Sequence, residues 1–154
     1  MATVSIIYDS RTGNTERMAN AIAEGARSAG VQVTVRKLGE KFPVEELSKA
    51  DTIVIGSPTH YSSVTAEMRH FLESLDELRK ARKLNLKGKT GAGFGSYGWS
   101  GEALERITGA LKILGLTVKS SALKIVESPG ENDLAKCREF GKALAQAAPS
   151  KARK

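Results

Sequence analysis

Ser10-Arg11-Thr12-Gly13-Asn14-Thr15 gathers three hydroxyls, an amide and a glycine into six consecutive residues. It follows the apolar run at residues 3–8 (TVSIIY) and precedes a segment with helical spacing. A helix start offers unsatisfied amides and the positive end of its dipole, so extra donors placed there hold an anion, phosphate above all. Helix capping alone needs one Ser, Thr or Asn, and this loop has four such side chains besides Gly13. Gly13 lets the backbone turn and come close to a ligand. The lysine of a Walker loop is missing, so the phosphate expected here is not gripped in that way. Arg11 either adds charge to the phosphate or faces solvent.

Two further loops carry the planar chemistry. One is Gly56-Ser57-Pro58-Thr59-His60-Tyr61-Ser62-Ser63, the other Gly95-Ser96-Tyr97-Gly98-Trp99-Ser100-Gly101. The chain has three Tyr and one Trp, and Tyr61, Tyr97 and Trp99 all fall in these loops. Aromatics on loops, off any apolar helical face, point to a flat ligand stacked between rings.

The elements that must position these loops follow from periodicity. Strands are predicted at 3–8, 31–38, 52–56 and 117–126 from β-branched runs, and at 90–96 from its place in the rhythm. Between them lie helical faces: Met18, Ile22 and Ala26; Met68, Phe71, Leu72, Leu75 and Leu78; Leu104, Ile107, Leu111 and Leu114; Leu134, Cys137, Phe140 and Leu144. A short helix with proline in its first turn is predicted over 43–49. Strands one and three are nearly continuous in apolar residues, as in a sheet covered by helices on both faces. The βαβ rhythm implies an α/β fold with a parallel sheet and right-handed crossovers. Ligands in such sheets bind beyond the carboxyl ends of the strands, where the three loops lie.

The bulk numbers agree. A chain of 154 residues, 40% apolar and 27% charged, fits a single globular domain over 1–148, with a basic, disordered tail at 149–154. No apolar run approaches the roughly 20 residues of a membrane span, and the first residues lack signal-peptide anatomy. Cys137 is the only cysteine, which excludes an internal disulfide and, in practice, a thiolate-held cluster. The expectation is a cytoplasmic protein without a metal site. The net charge of +7 favours anionic ligands or partners.

Taken together the loops resemble those of the flavodoxin-like FMN proteins, over almost the whole chain. SRTGNT is similar to their phosphate loop. GSPTHYSSVTAEMRHFLESL is similar to the second flavin loop and following helix of WrbA-like NAD(P)H:quinone oxidoreductases. FGSYGWSGEA resembles the third flavin loop of the flavodoxin domain in flavodiiron proteins. The resemblance implies a doubly wound five-stranded sheet in order 2-1-3-4-5 and one FMN bound without a covalent link. It implies that Ser10, Thr12, Gly13, Asn14 and Thr15 hold the phosphate, with Arg11 beside them. Pro58, Thr59, His60 and Tyr61 would line one side of the ring; Ser96, Tyr97, Gly98, Trp99 and Gly101 would line the other. The flavin does the redox chemistry, so no catalytic acid or base is expected among the residues.

Two functions stay open at this point: a carrier shuttling electrons between redox partners, and an NAD(P)H-dependent quinone oxidoreductase. Length favours the carrier. The second loop, its lack of Gly over 57–63 and the basic charge favour the enzyme. With only two histidines the chain cannot supply a diiron centre, so it is not a complete flavodiiron oxidase. Flavodiiron relatives place this domain near a subunit interface, which leaves a homodimer open.

Other motifs carry less. Gly93–Gly98 matches GxGxxG by letter but lies on a later strand than a dinucleotide fingerprint requires. GKT at 88–90 lacks the upstream P-loop glycine, since Lys83 stands there. A phospho-receiver needs an aspartate at the end of strand three, where Gly56-Ser57-Pro58 is found. Cys137 reads as a core residue and His70 as a surface one. The basic run at 79–89 reads as a solvated face, or else as a docking patch for an acidic redox partner. It has no interleaved aromatics, so nucleic acid is not an expected partner.

Overall fold

A computed structural model of the chain describes residues 2–60, 63–98 and 104–147. Tyr61, Trp99, Gly101 and the tail at 149–154 lie outside these, as does the side chain of His60. The elements run β1 (Thr3–Tyr8), α1 (Asn14–Ser28), β2 (Gln32–Lys37), α2 (Glu45–Lys49), β3 (Thr52–Gly56), β4 (Thr59–His60), β5 (Ser63–Val64) and α3 (Ala66–Lys80). They continue with β6 (Thr90–Tyr97), α4 (Glu105–Ile113), β7 (Thr117–Val118), β8 (Leu123–Val126) and α5 (Glu131–Ala147).

The main sheet is parallel in order β2-β1-β3-β6, and β7 and β8 both pair with β6. Phe94 pairs with Gly56 on one side and Leu123 on the other, so β7 and β8 share the outer edge. Counted as one interrupted strand, they complete the predicted order 2-1-3-4-5. The single strand predicted over 117–126 is broken because Thr90 pairs with Thr117 whereas Phe94 pairs with Leu123. The edge therefore holds two residues more than β6 over the same span, and they fall in the polar stretch Lys119-Ser120-Ser121. The loop after β3 also contains a small antiparallel pair, β4 with β5, that periodicity did not announce.

Alternation along the strands feeds two cores. Val4, Ile6 and Tyr8 of β1 and Val54 of β3 meet Met18 and Ile22 of α1 and Cys137 and Leu144 of α5. Ile7, Ile53 and Ile55 meet Leu47 of α2, Met68, Leu72 and Leu75 of α3, and Ile107 and Leu111 of α4. Each fully buried aliphatic side chain of this kind contributes about 1.5–3 kcal/mol relative to exposure.

The glycine content of β6 has its reason here. Ala92 and Phe94 face α1, and the intervening glycines face α4. A Cβ on Gly93 would stand 3.0 Å from Ile107 Cγ2. One on Gly95 would overlap the Ser57 carbonyl and come within 2.6 Å of Leu104 Cδ2. The helix thus rests on bare backbone, and β6 is a central strand that could not carry the usual β-branched residues on that face.

Candidate functional site

The cleft opens at the carboxyl end of the sheet, with a volume of about 310 Å³. Arg11, Thr12, Asn14, Pro58, Thr59, Ser96, Tyr97, Gly98 and Glu127 line it. Among the described residues it therefore brings together all three loops singled out by sequence.

The first loop is held by its own side chains. Gly13 takes the N-cap position of α1 with φ 91, a left-handed conformation that suits glycine. Ser10 Oγ lies inside the turn and accepts from the amides of Gly13 at 3.1 Å and Glu16 at 3.3 Å. Among the described residues the amides of Thr12, Asn14 and Thr15 have no partner, and they belong to the turn where a helix leaves its donors free. Below the loop, Tyr8 Oη donates to Glu16 Oε1 at 2.7 Å, which ties the first turn of α1 to the end of β1. Burial raises the Tyr8 phenol far above its ordinary range, and the Glu16 carboxylate adds to this, so the hydroxyl stays a donor.

The loops are also bonded to each other. Thr15 and Ser96, both buried, share a hydrogen bond of 3.1 Å between their hydroxyl oxygens. The Asp9 amide donates to the Gly56 carbonyl at 3.0 Å, and the Ser57 amide to the Phe94 carbonyl at 3.1 Å. Ser57 Oγ accepts from the Thr65 amide at 3.2 Å, and Thr65 Oγ1 caps α3 by accepting from Met68 at 3.2 Å. Pro58 and Thr59 are presented from this knot. The Thr59 hydroxyl is buried in the cleft wall without a partner among the described residues.

Arg11 lines the mouth of the cleft and is exposed to solvent. Its Nη2 reaches Glu67 Oε2 at 3.1 Å, bridging the first loop to the first turn of α3. Glu67 is held below the usual carboxylate range chiefly by a hydrogen bond from its own amide, with Arg11 assisting. Tyr97 is half-buried against the core under α3 and α4, while Gly98 is exposed at the rim. The backbone of His60 lies in β4. The places of Tyr61, Trp99 and Gly101 fall outside the described residues, and so does any stacking between those rings.

Sequence motifs missed one wall. The loop after β8 contributes Glu127, and Ser128 Oγ donates to Asn14 Oδ1 at 3.1 Å. The SPG turn at 128–130 was the available signal, since it follows the last strand at the same end of the sheet.

Free amides at a helix start, clustered hydroxyls and an orphaned buried hydroxyl form a donor set that suits a phosphate monoester carrying a polar chain and a flat ring. The basic run is elsewhere. Lys89 Nζ donates to the carbonyls of Ser48 and Ala50, at the end of the sheet where β3 and β6 begin. Among the described residues no group of acidic, His and Cys side chains suits a metal ion, and no helix is long and apolar enough to cross a membrane.

Comparison with known proteins points the same way. The flavodoxin family model matches residues 6–141. A solved flavodoxin from the domain Archaea is 35% identical, with a TM-score of 0.84 over 94% of this chain and 96% of that one. The anaerobic nitric oxide reductase flavorubredoxin of Aeromonas hydrophila is 33% identical over 93% of this chain and 28% of its own. The rubredoxin-oxygen oxidoreductase of Megalodesulfovibrio gigas is 28% identical over 96% of this chain and 36% of its own. The chain thus spans only about a quarter to just over a third of such curated relatives.

Proposed function

The chain belongs to the flavodoxin family and is an FMN-binding electron-transfer protein, and we propose that it works as a carrier between a reductase and an acceptor. The observation that carries this reading is the cleft at the carboxyl ends of β1, β3 and β6, where the described lining brings hydroxyls, an amide side chain and loop backbone of all three loops together. The near end-to-end match to an archaeal flavodoxin supports it as well.

In this reading the free amides of Thr12, Asn14 and Thr15 and the hydroxyls around them take the phosphate, with Gly13 allowing the close approach. Arg11 supplies positive charge at the mouth while anchored to Glu67. Thr59, whose hydroxyl otherwise has no partner, donates or accepts along the ligand, with Pro58, His60 and Tyr61 on the same side. Ser96, Tyr97, Gly98, Trp99 and Gly101 form the opposite side. Bound FMN supplies the redox chemistry, and the chain holds it, orients it and limits its contact with water.

Redox partners of this family member are proposed to present acidic surface, since a protein of net charge +7 is steered toward negative charge. A cytoplasmic location is proposed with it, in keeping with a single, buried thiol.

The test is anaerobic. FMN-loaded protein is mixed with stoichiometric NADH and then NADPH while the flavin absorbance is followed. Colour that persists until a reductase is supplied supports the carrier. Rapid bleaching by either nucleotide alone replaces it with the quinone-oxidoreductase reading, and a protein that does not retain FMN removes both.

A further inference from the structure

The loop following β8 carries a carboxylate with no assigned role. Glu127 lines the cleft together with Asn14, Tyr97 and Gly98. Two bonds fix it there: the Glu127 amide donates to the Tyr97 carbonyl at 2.6 Å, and Ser128 Oγ donates to Asn14 Oδ1 at 3.1 Å. The backbone at Glu127 is left-handed, φ 53, a conformation disfavoured for a residue with a side chain. Among the described residues no donor or cation reaches the carboxylate, and the side chain is exposed.

Asn14 marks the start of α1, the end of the cleft suited to phosphate. Tyr97 closes β6, the end suited to the ring. Glu127 is bonded to one through its neighbour and to the other directly, so it stands over the stretch between them. A carboxylate only accepts hydrogen bonds, and beside a phosphate it would repel. The part of FMN rich in hydroxyl donors is the ribityl chain that joins phosphate to ring. We infer that Glu127 accepts hydrogen bonds from the ribityl hydroxyls and so sets the span between the two ends of the bound flavin. This rests on the FMN reading above.

The full chain, its Glu127→Gln and its Glu127→Ala variants are titrated with FMN, riboflavin and lumiflavin, following quenching of flavin fluorescence. Lumiflavin keeps the ring but has neither phosphate nor ribityl chain. Glu127→Ala is expected to weaken FMN and riboflavin alike by about tenfold or more, as for a lost charge-assisted bond, and to leave lumiflavin unchanged. Glu127→Gln gives a smaller loss in the same pattern. Tighter FMN binding by Glu127→Gln with riboflavin unaltered would overturn the inference, because the charge would then face the phosphate. Equal losses for all three ligands, or none, would overturn it too. If the unaltered chain binds no FMN, the cofactor reading itself falls; if it binds and the variants match it, only the role of Glu127 falls.

Discussion

At the residue scale the site depends on conformations and pairs that a single atom disturbs. Gly13→Ala adds a Cβ at φ 91, where space is open but the backbone disfavours it. Denaturant unfolding is expected to show a loss of about 1–2 kcal/mol, and FMN titration a weaker complex. Thr15→Val keeps the shape and leaves the buried Ser96 hydroxyl without its partner, which costs about 1–3 kcal/mol. Cys137 belongs to the core and is no nucleophile. Burial, and secondarily Asp133, pushes its thiol up to about 11. The folded state therefore holds this proton after the unfolded chain has released it. Its contribution is complete below the ordinary thiol range and is lost as pH rises toward 11. Wild type should show a steeper decline in stability across that interval than Cys137→Ala. Iodoacetamide at pH 8 should label Cys137 only after unfolding.

Between elements, close approach replaces side-chain filling. Gly95→Ala would drive a methyl into the Ser57 carbonyl and Leu104, forcing β3, β6 and α4 apart. A loss of about 1–3 kcal/mol is expected from overpacking, together with weaker FMN binding, since Ser57 and Ser96 anchor two of the loops. Gly25 and Gly141 serve the same end where α1 crosses α5; a Cβ on either would overlap a backbone carbonyl of the facing helix. The short helix α2 is tied down differently. Arg36 grips Glu46 with two bonds, Nε to Oε1 at 3.1 Å and Nη2 to Oε2 at 2.8 Å, and this holds the Glu46 carboxyl below its ordinary range. That tether is complete above the ordinary carboxylate pKa and is lost as pH falls through the depressed value. Protection factors of the α2 amides, referred to the intrinsic exchange rate at each pH, should therefore fall on acidification before those of the central strands do.

Over the whole molecule the charge and the site are separated. The basic run around Arg82 and Lys83 follows α3 to the end of the sheet opposite the cleft, roughly 25 Å away along the eight-residue strand β6. We propose that it contributes to long-range steering and lies outside the contact surface beside the bound flavin. Reduction by an acidic partner should slow as salt rises. Neutralising Arg82 and Lys83 with glutamine should flatten that dependence while leaving the rate at high salt unchanged. A drop at high salt would show that the run itself forms part of the docking surface.

What the sequence determined by itself was everything that repeats or clusters locally. Nearly continuous apolar runs along Thr3–Tyr8 and Thr52–Gly56 announce strands buried on both faces, and helical spacing announces α1, α3, α4 and α5. Three donor-rich or aromatic loops at strand ends announce the cleft. Those signals are legible because periodicity and loop composition are read within one segment. Only the tertiary structure decided why β6 is glycine-rich, since the reason is Leu104 and Ile107 lying across it. It alone paired Arg11 with Glu67, broke the edge strand by a register shift, and carried the basic run to the far end. It alone brought Glu127 to the cleft, more than a hundred residues from Asn14 in the chain. Each of these is a relation between distant segments, and a distance in space has no counterpart in the local pattern of one chain.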